Sequence, residues 1–187
     1  MTDQPTSVVP SPAGARLSIP WGRALAWALL IAFLGVLAFG LYRARAGQVS
    51  QGAAPDFTLT LFNGETFRLS DQRGKVVLVD FWASWCIPCR EEARDLEALW
   101  QEYRDQDFVF VGVAYVDVES QSLGFVEEFG ITYPNGPDLG TRVSQAYRIR
   151  GVPEKFLIDR SGQLRQVFIG PRPESEIRSS IEAVLEE

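Results

Sequence analysis

The stretch FWASWCIPCREE, Phe81–Glu92, holds both cysteines of this 187-residue chain. Two residues separate them, a tryptophan precedes the first, and two acids follow the second. Just upstream, KVVLVDFW (Lys75–Trp82) is a continuous apolar run, the pattern of a central strand buried on both faces. Downstream, a helix is expected from about Cys86 to Tyr103, because Cys89, Glu92, Leu96, Leu99 and Tyr103 recur at helical spacing. The first sulfur then sits at a helix N-terminus, where unpaired N–H groups and the helix dipole favour an anion. A thiolate is such an anion, so the thiol acidity rises and a nucleophile exists at neutral pH. On a first helical turn the two-residue spacer brings the sulfurs within bonding reach, and Pro88 is tolerated there because no intrahelical N–H is needed.

Composition narrows the chemistry further. The chain has no histidine, which removes Ser-His-Asp and Cys-His nucleophile systems and most transition-metal sites. A four-ligand zinc site would need more cysteines or histidines than exist. A disulfide closing so short a loop restrains little of the unfolded chain, so a purely structural bridge is a weak reading. The net charge of −6 offers no basic surface for nucleic acid. The chemistry then runs on Cys, Asp, Glu or a bound cofactor; a redox dithiol is the strong reading, with no metal and no cofactor expected.

Two acids stand close to the cysteines. Glu92 lies on the inward stripe of the expected helix, beside Cys89. Asp80 lies in the apolar strand, with its side chain expected on the side of Val76, Leu78 and Trp82. A buried carboxyl beside a dry dithiol holds its proton to higher pH and can exchange it with Cys89 during disulfide exchange. The bland alternatives are a strand-end Asp bonded to backbone and a first-turn Glu leaning to solvent.

Outward from this centre the chain divides into four parts. Residues 1–20 are rich in Pro, Ser, Thr and Gly and read as a disordered tail. Residues 21–43 contain Ala24–Tyr42, uncharged throughout; as a helix this run is about 28 Å long, close to the roughly 30 Å of a bilayer core. An uncleaved transmembrane anchor is preferred to a cleaved signal peptide, since the run exceeds a usual signal core and arginines flank the Ala44-Arg45-Ala46 site. Arg16 and Arg23 before the span balance Arg43 and Arg45 after it, so charge does not set the orientation. Residues 44–53 read as a linker. Residues 54–187 form one domain: a hairpin over Phe57–Leu69 turning at Asn63-Gly64, the buried strand and helix, a second buried strand over Phe108–Val116, two helices near 120–130 and 139–149, a hairpin of Glu154–Asp159 with Leu164–Gly170, and a closing amphipathic helix with Ile177, Ile181, Val184 and Leu185 on one stripe. That order gives an α/β fold with a mixed sheet.

VDFWASWCIPCREE, with the preceding APDFTL and SDQRGKVVLV and the later RGVPEKFLIDRSGQL, resembles the membrane-anchored thioredoxins of the TlpA/ResA/DsbE (cytochrome c biogenesis) type. The resemblance implies a thioredoxin fold with an N-terminal hairpin extension, carried on one transmembrane helix. It implies Cys86 as the exposed nucleophile, Cys89 as the buried resolving thiol, and Asp80 and Glu92 as the active-site acids. Pro153 matches the family's cis-proline, which leaves the backbone of Val152 open to pair with a substrate strand; Trp85, Val152, Pro153 and Glu154 are the implied substrate-contacting positions. The implied activity is thiol–disulfide exchange on the extracytoplasmic side of the cytoplasmic membrane, most simply reduction of the C-x-x-C-H disulfide of apocytochrome c before haem attachment, with electrons from a membrane donor. The uncharged Ile87-Pro88 spacer favours a reductant, while Arg90, one turn after Cys86, would partly offset that. A general disulfide reductase or oxidase is the nearest alternative. A thiol peroxidase would need Pro and Thr where Val79 and Ala83 stand, and a Cu(I)-binding chaperone of the Sco-like kind would need a wider cysteine spacing and a histidine.

Overall fold

The computed structural model describes residues 21–45 and 47–187; the expected N-terminal tail lies outside them. The described residues fall into two units, which are taken separately. The first is helix α1 (Trp21–Arg45), whose segment Trp21–Leu41 is long and apolar enough to cross a bilayer. Every side chain of that segment is exposed.

The second unit begins at Gly47 and is built on a five-stranded mixed sheet of order β5-β4-β3-β6-β7. Its centre is β3 (Val76–Trp82), buried at all seven positions as its valine-rich sequence requires. β4 (Phe108–Ala114) lies parallel on one side of β3, and β6 (Glu154–Ile158) antiparallel on the other. β7 (Leu164–Ile169) pairs with β6 as the expected hairpin. Helix α2 (Ile87–Tyr103) crosses from β3 to β4, and α3 (Glu119–Phe129) follows β4. A short 3-10 turn and α4 (Arg142–Tyr147) stand where one helix was expected; Gly140 and Thr141, both at positive φ, break it in two. α5 (Glu174–Leu185) closes the chain.

Strand alternation sorts the core into two layers. Val76, Leu78 and Trp82 of β3 share one with Phe108 and Phe110 of β4, Leu157 of β6, the inward stripe of α2 and Ile177, Ile181 and Val184 of α5. Val77, Val79 and Phe81 share the other with Phe156, Tyr147 of α4 and the hairpin residues Phe57, Leu59 and Phe67. The hairpin, β1 (Thr58–Thr60) with β2 (Thr66–Arg68), therefore serves as a lid on the second layer. Tyr147 ties it down, with ring centroids 5.9 Å from Phe57 and 4.8 Å from Phe156.

The edge strand β5 (Asn135–Pro137) has no sequence signature of its own, and the sequence reading placed no strand there. Proline is admissible at such an edge because one side of the strand lacks a ladder partner. A polar contact holds β5 in place: Asn135 Oδ1 accepts from Trp82 Nε1 at 2.8 Å inside the protein. The contact passes over Gly112, where an added Cβ would lie 1.8 Å from Asn135 Oδ1. Gly112→Ala should therefore displace Asn135, leave the buried indole N–H unpaired and destabilise the domain by roughly 2–4 kcal/mol. Urea unfolding of the full chain in detergent, followed by tryptophan fluorescence, measures this; an unchanged midpoint would disprove the packing account.

Candidate active site

The chain leaves β3 at Trp82 and turns through Ala83–Trp85 into α2. Cys86 is the N-cap of that helix, with extended backbone, and its Sγ accepts from the backbone N–H of Cys89 at 3.2 Å. The helix proper starts at Ile87, with Pro88 in its first turn. Cys86 and Cys89 are joined in a disulfide, their Cα atoms 5.3 Å apart. The expectation of an exposed Cys86 is corrected in this oxidised state: the residue is 4 % exposed. Bonding to Cys89 and capping the helix both draw its sulfur inward. The rim is apolar instead, with Trp85 59 % and Ile87 70 % exposed on either side of it in sequence.

The turn before Cys86 is held by a residue that the sequence reading did not single out. Asp117, in the loop after β4, accepts from the backbone N–H of Ser84 at 2.6 Å and from its hydroxyl at 2.8 Å. It also accepts from Ser122 Oγ and from the Val118 N–H. The Trp85 indole donates to the carbonyl of Val116 at 3.1 Å. Val116 has φ 44, an uncommon conformation for a β-branched residue, here fixed between these two sets of bonds. Arg90, one turn after Cys86, donates to the Ser84 carbonyl at 3.5 Å. Its guanidinium pairs with Glu128 and stacks on Phe129 at 5.0 Å, which joins α2 to α3.

Behind the dithiol lies a buried ionic cluster. Asp80 faces the layer containing Leu78, Trp82 and the cysteines, as alternation predicts, and Glu92 is buried one helical turn after Cys89. The third member, Lys155, escaped the sequence reading. It is wholly buried, pairs with Glu92, and places Nζ 3.5 Å from Asp80 Oδ1. The β3–β6 register sets Asp80 opposite Lys155. The available signal was parity: Lys155 shares its side of β6 with Leu157, which belongs to the dithiol layer. Asp80 Oδ1 and Glu92 Oε2 make no hydrogen bond. Burial is the main force raising both carboxyls above their usual range; Lys155 opposes it, and Glu92 stands at about 7.

The Val152–Pro153 peptide bond is cis, and Pro153 is buried while Val152 stays half-buried. Glu154 departs from its expected substrate-contacting place. Alternation along β6 sends it to the opposite side from Lys155, where it is 2 % exposed. There it accepts from the Arg150 backbone N–H at 3.0 Å and from the Gln48 amide. Its carboxyl is raised by burial. Glu154 thus braces the loop leading into the cis bond from behind. Gly47 and Gln48, read as linker, are bonded to Arg148 and Glu154.

This arrangement can do disulfide chemistry: a cystine capping a helix, an apolar rim, and proton-carrying groups on the inner side. The AhpC/TSA family model matches residues 51–167. Thiol-disulfide oxidoreductase ResA of Geobacillus kaustophilus is 32 % identical over 161 residues, covering 84 % of this chain and 92 % of the relative. Thioredoxin-like protein YneN of Bacillus subtilis is 30 % identical over 165 residues, covering 84 % and 96 %. Among solved structures, a Chlorobium tepidum protein named as the thiol:disulfide interchange protein DsbE superposes with a TM-score of 0.69 at 30 % identity, covering 74 % of this chain and 99 % of that one. The paired cysteines lie inside the length that the family model matches, and the sheet that carries them is the shared fold. The chain belongs to the AhpC/TSA family, as a thioredoxin-fold thiol–disulfide oxidoreductase of the ResA type.

Proposed function

We propose that this oxidoreductase is a single-pass protein of the cytoplasmic membrane, anchored by residues 21–43, whose domain works on the extracytoplasmic side as a reductant of protein disulfides. The proposed client is the C-x-x-C-H disulfide of apocytochrome c, reduced before haem attachment, and the electrons come from a membrane donor. The observation that carries this reading is the helix-capping cystine with two buried carboxyls behind it. Cystine chemistry suits an oxidising compartment, and α1 supplies a helix long enough to hold the domain at a bilayer.

In the forward reaction, the Cys86 thiolate attacks a client disulfide and the client's first sulfur leaves as a thiolate. Cys89 gives its proton to the acid pair and attacks Cys86 Sγ, and the client's second sulfur departs with the electron pair. Two electrons pass to the client, and the enzyme ends as the cystine seen here. Trp85 and Ile87 supply apolar contact around the attacked bond, and the Val152 backbone pairs with the client strand.

Trapping tests the client. In cells making Cys89→Ser, mixed disulfides through Cys86 should accumulate and contain c-type apocytochromes, whereas Cys86→Ser should trap none. Recovery of other exported proteins with no apocytochrome would move the assignment to general disulfide reduction or oxidation.

The buried acids give a second check. With Glu92 raised from 4.5 to about 7, the folded chain keeps a proton between those values that the unfolded chain has released. Stability is therefore greatest below the ordinary carboxylate range and declines as pH rises through 7. Asp80 and Glu154 shift the same way; Asp159, lowered by its hydrogen bonds despite burial, acts only at more acid pH. The oxidised chain should lose up to about 3 kcal/mol of unfolding free energy between pH 5 and pH 8. Glu92→Gln should flatten most of that slope in urea titrations.

A further inference from the structure

Lys155 is a wholly buried cation placed against two buried carboxyls, on the side of the sheet that carries the dithiol. Its effect follows from charge balance. A dry pocket tolerates little net charge, because an unpaired buried ion is costly. Two carboxyls alone would settle as two neutral acids, since like charges so close cannot both ionise without compensation. Adding one ammonium changes the balance point: one carboxylate ionises against it and the other keeps its proton.

We propose that Lys155 is a positioning residue for the thiol–disulfide reaction, one that keeps a single member of the Asp80–Glu92 pair ionised at neutral pH so that a base is ready for Cys89. The inference rests on the oxidoreductase reading of the site, though not on the identity of the client. The geometry supports it at three points. Lys155 reaches both acids from one strand, so its charge acts on the pair rather than on either alone. Glu92 Oε2 and Asp80 Oδ1 lack hydrogen-bond donors, which leaves each able to take a proton. Among the described residues, the other polar groups that act on the pocket add no second positive side chain. These are the Tyr133 phenol, whose acidity burial suppresses, and the backbone N–H of Arg172 beside Glu92. Glu97 of α2 acts on Tyr133 from further off.

The step balances as follows. In the mixed disulfide, the Cys89 S–H proton moves to the ionised carboxylate. The Cys89 thiolate forms the bond to Cys86 Sγ, the bond from Cys86 to the substrate sulfur breaks, and that sulfur leaves with the electron pair and is protonated by solvent. The pocket changes by one unit of charge and never needs to hold two unpaired carboxylates.

The test uses the full chain in detergent, reduced with dithiothreitol, desalted and mixed with oxidised glutathione. Acid quenching and mass spectrometry follow closure of the Cys86–glutathione mixed disulfide as a function of pH. In Lys155→Met, closure at pH 7 should slow about tenfold and the rising limb of the profile should move up by about one pH unit or more. In parallel, carboxyl carbon NMR should find one of Asp80 and Glu92 ionised at pH 7 in the wild type, and both protonated in the variant. A uniform slowing with the limb unmoved, coincident profiles, or two ionised carboxyls in the variant would each overturn the proposal. Lys155→Gln replaces the Met variant if that chain does not fold. Should neither fold, the wild-type spectrum decides, because two ionised or two protonated carboxyls at pH 7 contradict the charge balance. Glutathione and the carbon signals involve no apocytochrome, so failure of client trapping and failure of this inference are separate results.

Discussion

Strand β3 has to be sealed on both faces and yet carry a carboxyl in its middle. That constraint organises the rest of the domain. The seven buried residues of β3 force neighbouring strands onto both edges and helices or the hairpin onto both faces. Asp80 then has nowhere to send its charge except into the layer it shares with the cysteines. Its antiparallel neighbour β6 answers with Lys155 in register, and α2 answers with Glu92 one turn behind Cys89. The cystine sits in this layer at the mouth of the β3–α2 turn. The acid–base equipment and the redox bond are thus adjacent because a strand's alternation and a helix's turn converge there.

Rigidity around the sulfur comes from a second source. Asp117 spends four hydrogen bonds on a turn, a loop and a helix start. The strained Val116 beside it is locked by the Trp85 indole. Arg90 adds the link from α2 to α3. The segment before Cys86 and the segment after β4 consequently behave as a single framed rim rather than two independent loops.

Much of this was legible in the sequence, for identifiable reasons. The buried strands, the Asn63-Gly64 hairpin, the dithiol helix and the amphipathic last helix all follow from local periodicity and turn chemistry. Asp80 was placed on the right side of its strand by alternation alone. What stayed hidden depends on pairing across the sheet. Lys155 looks like an ordinary charged residue until β6 is set against β3, and Glu154 looks accessible until the strand's parity sends it inward to Gln48 and Arg150. β5 is held by Asn135, Trp82 and the space above Gly112, three residues far apart in the chain. The exposure of Cys86 was implied by the family resemblance, while in the oxidised form that sulfur is bonded to its partner and buried.

The alternation of β6 also limits how this enzyme can diversify. Glu154 and Lys155 are consecutive, yet one supports the loop from the hairpin side and the other completes the ionic pocket on the opposite side. Inserting one residue between Pro153 and Glu154 would transpose their destinations. An acid would then join two acids behind the cystine, and an ammonium would be left among the aromatic rings beneath the hairpin. A change of length at the start of this strand therefore exchanges an acid for a base on both of its sides.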